Sequence, residues 1–232
     1  MTIVAIHQPT YLPWLGLFHK LHLSDVFIVL DDVQLPKKAG SWVNRTNLLD
    51  GGESRWLTIP IIRPSGLQII RDVVQVDDAW KKQHRDCIHQ WYRGSPHYAA
   101  LSDELDELYD SPAKNICEIN LRAIKLILGL IGSGDYNKIV LASSLSITSS
   151  STQRLVDLVR KVNGTKYLCG SGSDGYFEPA VFKEAELDLE YQMFIEYERP
   201  QLRTNVFTRG MSIIDSILMV GPQETYKLLI NA

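Results

Sequence analysis

His7, Gln8 and Pro9 stand together at the end of a short apolar run, and Asp31-Asp32 stands at the end of another. A neutral imidazole can accept a proton near pH 7 with little tuning, and the proline would hold His7 on a stiff loop. A carboxylate pair can orient a sugar hydroxyl or an ammonium group. Adjacent residues of a strand point to opposite faces, so at most one of the two can face a given crevice. A metal ion would need further carboxylates or histidines at suitable spacing. The sequence offers none, so no metal is expected. Tyr11 and Trp14 follow His7 in the same loop, where an aromatic ring suits stacking on a sugar or base as well as packing of the loop.

A local basic cluster, Lys37, Lys38 and Arg45, is interleaved with Gln34, Trp42 and Asn44. Ammonium and guanidinium groups suit a phosphate or diphosphate. Further on, residues 170–176 read GSGSDGY after a short apolar run. Glycine lets backbone N–H groups approach an anion closely, so Gly170 and Gly172 are candidates, with Asp174 and Tyr176 as hydrogen-bonding neighbours. The stretch is not a P-loop, and no GxSxG nucleophile turn occurs anywhere. Cys169 reads as a small buried hydrophobe. The pairs His19/His22 and His84/His89 read as surface residues.

These residues need a scaffold. Residues 2–6 form a buried strand, the apolar spacing of Leu15, Phe18 and Leu21 predicts a helix over 14–23, and residues 26–30 form a second, continuously apolar strand. Strand, helix and strand in about thirty residues open a right-handed βαβ unit. In open α/β sheets ligands bind beyond the carboxyl ends of the strands, which here carry His7-Gln8 and Asp31-Asp32. Residues 33–55 read as irregular and 55–62 as a strand, with a weaker strand over 67–76. Helices are predicted over 79–92, 98–109 and 112–131, and a strand over 138–143. A helix follows from the serines at 149–151 to Val162, with Gly164 as its terminating residue. Strands over 166–169 and 187–197 and helices over 213–220 and 223–230 complete the chain. The pattern predicts one three-layer, Rossmann-like α/β domain with a mainly parallel sheet.

Composition narrows the class. Lys+Arg number 24 against 27 Asp+Glu, a net charge of −3, which argues against nucleic acid as a partner. Three scattered cysteines suit neither a disulfide framework nor a zinc site. No basic leader and no long apolar stretch is present, so a cytoplasmic protein without membrane association is expected.

The stretches IHQPTYLPWLGLFHKLHLSDVFIVLDDVQLPKKAGSWVNRTNL, RWLTIPI, TQRL, YLCGSGSDGY and SIIDSIL resemble the WbqC-like protein family over nearly the whole chain. The matching residues are His7, Gln8, Pro9, Tyr11, Pro13, Trp14, Asp31, Asp32, Gln34, Asn44, Arg45, Gly170, Tyr176 and Asp215. Cys169 stands where the resemblance suggests a Ser-Gly type turn, which weakens a role for that position. The resemblance implies a place in polysaccharide or O-antigen assembly and transfer of an acyl or aminoacyl group, such as glycine, to an amino sugar.

On that basis His7 is expected to accept a proton from the attacking amine. Gln8, Asn44 or backbone N–H groups near Gly172 would stabilise the oxyanion. Arg45 with Lys37 or Lys38 would hold the diphosphate, and Asp31 or Asp32 the sugar. The partners expected are a nucleotide-linked amino sugar and an acyl-thioester or aminoacyl donor, the latter delivered by an acyl carrier or partner enzyme. Two alternatives stay open: an ATP- or nucleotide-dependent ligase or nucleotidyltransferase, and a non-catalytic sugar-nucleotide-binding subunit.

Overall fold

The structure, a computed structural model, describes residues 1–36, 41–63, 66–170 and 177–232. Its centre is β1 (Ile3–His7), whose middle residues Val4, Ala5 and Ile6 are buried. α1 (Leu15–Leu23) follows, buried almost all round, as a helix sandwiched between other elements must be. The chain then enters β2 (Val26–Val29), which pairs with β1 in parallel, Ala5 opposite Phe27 and His7 opposite Val29. The predicted βαβ opening is therefore present.

Five parallel strands make the main sheet, in the order β5-β2-β1-β6-β7. The other members are β5 (Ile139–Leu141), β6 (Lys166–Cys169) and β7 (Asp188–Tyr191). The chain starts in the middle, steps outward through β2 to β5, then returns to the other side of β1 for β6 and β7. The direction of winding reverses between β1 and β6, the topological switch point at which open α/β sheets leave a ligand crevice.

Helices cover both faces. One core joins Ala5, Phe27 and Leu168 of the sheet to α1, α4 (Ile116–Leu130), α7 (Ile213–Val220) and α8 (Pro222–Ile230). It extends under α2 (Ala79–Tyr92) and α3 (Tyr98–Asp106). The other joins Val4, Ile6, Ile28 and Tyr167 to α5 (Ser151–Lys161) and α6 (Pro179–Glu184). Alternate residues of each central strand feed opposite cores, as the two-residue strand period requires. This is the three-layer, Rossmann-like arrangement. No helix among the described residues is long and apolar enough to cross a membrane.

Several local expectations are corrected. Residues 45–50 are strand rather than irregular: β3 (Arg45–Asp50) pairs antiparallel with β4 (Glu53–Thr58). Gly51 and Gly52, with φ of 59° and 90°, make the tight turn between them. Residues 67–76 contribute a 3-10 turn and isolated bridges rather than a strand. Gly164 does not hold the left-handed position after α5; Asn163 does, with φ of 57°. Gly164 is needed for close approach, since a Cβ there would collide with Val4 and Val159. Ser150 occupies the N-cap of α5 without a side-chain cap bond. His19 and His84 are buried, 3% and 2% exposed, because each found a partner far off in sequence.

Candidate functional site

The loop from Gln8 to Trp14 leaves the middle of the sheet and is pinned on two sides. Tyr11 N–H donates to the Trp42 carbonyl at 2.9 Å, and the Thr46 hydroxyl donates to the Leu12 carbonyl at 2.8 Å. On the other side Ile213 N–H donates to the Pro13 carbonyl at 2.8 Å. Leu12 is fully buried with φ of 41°, a left-handed conformation that a leucine holds only where the surroundings impose it.

His7 closes β1, partly buried. Its Nδ1 lies 2.8 Å from the Gln8 carbonyl oxygen. A carbonyl can only accept, so Nδ1 carries the proton and Nε2 presents a lone pair. Burial and the nearby Lys20 ammonium lower the His7 pKa to about 4, opposed by the Gln8 bond. The ring is therefore neutral at physiological pH. Among the described residues, Nε2 makes no hydrogen bond.

A file of aromatic rings runs away from His7. Its ring meets Trp14 edge-on at 5.7 Å, Trp14 meets Trp42 at 5.3 Å, and Trp42 meets Trp56 at 4.9 Å. The Arg45 guanidinium lies 4.0 Å from the centre of the Trp56 ring, a cation–π contact. The hairpin β3–β4 thus carries Arg45 and Trp56 to the far end of this file. Gly16 makes room for Trp14, since a Cβ there would stand 2.7 Å from the indole nitrogen. The outer side of Trp14 borders a cavity of about 450 Å³ with Phe194, Ile195 and Arg209.

Other sequence candidates are committed elsewhere. The Asp31 carboxylate is buried and accepts from both the Ser143 N–H at 2.9 Å and the Ser143 hydroxyl at 2.6 Å. Asp32 holds the Arg154 guanidinium through both oxygens at 2.7 Å. Asp31 ties the end of β2 to the β5–α5 connection, and Asp32 ties it to α5 itself. Tyr11 is 2% exposed with its hydroxyl 3.1 Å from His84 Nδ1, so it packs in the core and not at the crevice surface. The Asn44 amide donates to the Ile59 carbonyl at 2.9 Å and closes the base of the hairpin. Gln34 is exposed and itself forms an isolated bridge with Ile69, and Gly170 directly follows β6. Lys37, Lys38, Gly172, Asp174 and Tyr176 lie outside the described residues. Among the described residues no group of three or more His, Cys, Asp or Glu could hold a metal ion.

A family model for the WbqC-like protein family matches residues 8–227. The chain belongs to the WbqC-like protein family. A relative from Mycobacterium tuberculosis (strain ATCC 25618 / H37Rv), uncharacterized protein Rv1507c, is 26% identical over 225 residues, 96% of each chain. No solved structure matches the chain significantly. Of the residues carrying the resemblance in this WbqC-like chain, His7, Gln8, Trp14 and Arg45 gather about the aromatic file. Asp215 is instead fully buried. It accepts from the Tyr92 hydroxyl at 3.0 Å and the Gln201 amide at 3.1 Å, with the Arg199 guanidinium at 3.5 Å. Burial raises its pKa against the pull of Arg199. Its work is to fix α7 to the hairpin, since the same Tyr92 oxygen accepts from Leu49 N–H at 3.0 Å.

Sequence reasoning missed Lys20 and Trp56. Lys20 lies in the helix predicted over 14–23 with no local signal of its own, yet it is 4% exposed and its ammonium donates to the Ile6 carbonyl at 3.0 Å. Trp56 carried a signal in its own sequence, an aromatic residue on a strand ahead of Leu57-Thr58, but nothing there placed it beside Trp42.

Proposed function

We propose that the chain transfers an acyl or aminoacyl group from a thioester or aminoacyl donor to the amine of a nucleotide-linked sugar. The observation that supports this most is His7: a neutral imidazole at the switch point, its Nδ1–H held by the Gln8 carbonyl and its Nε2 without a hydrogen bond among the described residues. The free amine attacks the acyl carbon and a C–N bond forms. Its proton passes to His7 Nε2. The C–S or C–O bond of the donor then breaks, and the proton returns from His7 to the leaving atom. The low pKa makes His7 a weak base at rest, but negative charge building on the acyl oxygen raises its proton affinity during the step. Gln8 is assigned as donor to that oxygen. Trp14 and Trp42 offer faces for the sugar or base, and Arg45, stacked on Trp56, supplies a positive charge at the far end of the file. Asp31 and Asp32 act by holding the β2 end in place. A role in polysaccharide or O-antigen assembly belongs to the same proposal.

The test is thermal unfolding with amino-sugar nucleotides, plain nucleotides with and without magnesium, and acyl-thioesters, followed by a transfer assay. A ligand at a hundred times its Kd adds about 2.7 kcal/mol, which should raise the midpoint by roughly 5–10 °C. His7→Ala should lower the transfer rate about 10²–10⁴-fold with the fold intact. An unchanged rate removes His7 from this role. A shift with ATP and magnesium alone replaces the transferase with a ligase. No shift with any compound replaces it with a subunit that needs its partner.

A further inference from the structure

Lys20 touches no reacting atom of that transfer step, although its ammonium helps lower the His7 pKa, and its position demands an explanation. A buried ammonium is costly unless it meets a counter-charge. Lys20 meets the Ile6 carbonyl, has the Cys169 side chain as an electrostatic neighbour, and makes no ion pair with a carboxylate among the described residues. A methionine of similar length would fill the same space without the charge.

Strand geometry locates the ammonium. Successive carbonyls of a strand point to opposite neighbours. The Thr2 carbonyl accepts from Lys166 N–H on the β6 side, and the His7 carbonyl accepts from Leu30 N–H on the β2 side. Ile6, in step with Thr2, therefore turns its carbonyl toward β6. Lys20 Nζ lies 6.0 Å from the Tyr167 ring of β6, which agrees. The last β1–β6 register pair is Ala5 with Leu168, one residue before Ile6. The ammonium thus sits where β1 and β6 cease to pair, at the floor of the switch point. The helix that follows β1 has no glycine-rich turn, and its first turn is closed by the Trp14–Ser212 bridge. In dinucleotide folds that turn supplies the positive end that meets phosphate. Here the positive charge at the same sheet position is a side chain.

We propose that Lys20 is a ligand-binding residue, the counter-charge for a phosphate of the nucleotide carried by the substrate. This rests on the switch point being the ligand site, and it adds which group of the ligand reaches deepest. Burial lowers the Lys20 pKa to about 8, so the charge is still present at neutral pH.

Isothermal titration with UDP, GDP, dTDP and pyrophosphate, with uridine as uncharged control, tests this on the wild type, Lys20→Met, Lys20→Arg and Trp42→Ala. Thermal unfolding without ligand accompanies each. Lys20→Met should melt at or above the wild-type temperature and weaken the preferred diphosphate at least tenfold, leaving uridine unchanged. Lys20→Arg should retain part of the affinity. A lower melting temperature with diphosphate and uridine weakened alike would make Lys20 a structural tie to Ile6 and overturn the proposal. Diphosphate binding that survives Lys20→Met but is lost in Trp42→Ala overturns the Lys20 assignment and leaves the switch-point site standing. Binding unaffected by either variant, or absent from the wild type, removes both.

Discussion

His84 illustrates what burial does to a single titratable side chain. It is 2% exposed, packs edge-on against Trp80 at 5.0 Å, and places Nδ1 3.1 Å from the Tyr11 hydroxyl. Burial lowers its pKa from 6.5 to about 4, opposed by a hydrogen bond to the Thr58 backbone. The unfolded chain takes up a proton near pH 6.5, while the folded chain refuses it until near pH 4. Stability is therefore full above about pH 6.5 and falls as the pH drops toward 4. With 1.36 kcal/mol per unit, the loss assigned to His84 reaches about 3 kcal/mol at the acid end. His7, with its pKa also lowered to about 4, adds to the same limb. Urea unfolding at pH 7.5, 6 and 5 checks this. His84→Gln should start less stable, since a core contact is changed, and lose less on acidification than the wild type. Equal losses in both proteins would assign the acid sensitivity to other groups.

At the scale of elements, the Asp32–Arg154 contact bolts α5 to the end of β2. Their side chains are 15% and 14% exposed, and the guanidinium also donates to the Ile147 carbonyl at 2.6 Å. Arg154→Met leaves the Asp32 carboxylate poorly solvated without a partner, at a cost of about 3 kcal/mol. Adding Asp32→Asn should return part of that loss. Nucleotide affinity per folded molecule should stay unchanged in the pair, since these residues hold the scaffold. Independent, additive losses would deny the coupling, and altered affinity would move Asp32 into the ligand site. The opening β1–α1–β2 unit was legible in the sequence because its apolar runs and helical spacing lie within one short stretch. The hairpin was not, because β3 reads RTNLLD, with too little alternation to outweigh its polar surroundings, although Gly51-Gly52 was a usable turn signal. His7 at a strand end was legible for the same local reason. The buried state of Lys20, Tyr11 and His84 was not, since it depends on partners up to 73 residues away. The file that leads from His7 through Trp14 and Trp42 to Trp56 and Arg45 depends on where a hairpin docks, which no local pattern encodes.

At the scale of the molecule, the two cores share their strands. Ala5, Phe27 and Leu168 face one core while Val4, Ile6, Ile28 and Tyr167, on the same three strands, face the other. Neither core can lose its packing while the sheet between them stays ordered, because each strand would then expose its apolar residues on one face. We therefore predict one cooperative unfolding transition spanning residues from both ends of the chain. Ile124→Ala opens the first core and Leu158→Ala the second, at positions 1% and 0% exposed. Each should cost about 2–5 kcal/mol, lowering the midpoint by roughly 5–15 °C. Calorimetry is the decisive measurement. Both variants should shift the same single peak, and a nucleotide bound at the β1–β6 switch point should raise that peak in the wild type and in both variants. Two resolved transitions, one moved by Ile124→Ala and the other by Leu158→Ala, would mean that the sheet does not couple its faces. The crevice would then be supported mainly by the layer whose transition the ligand raises.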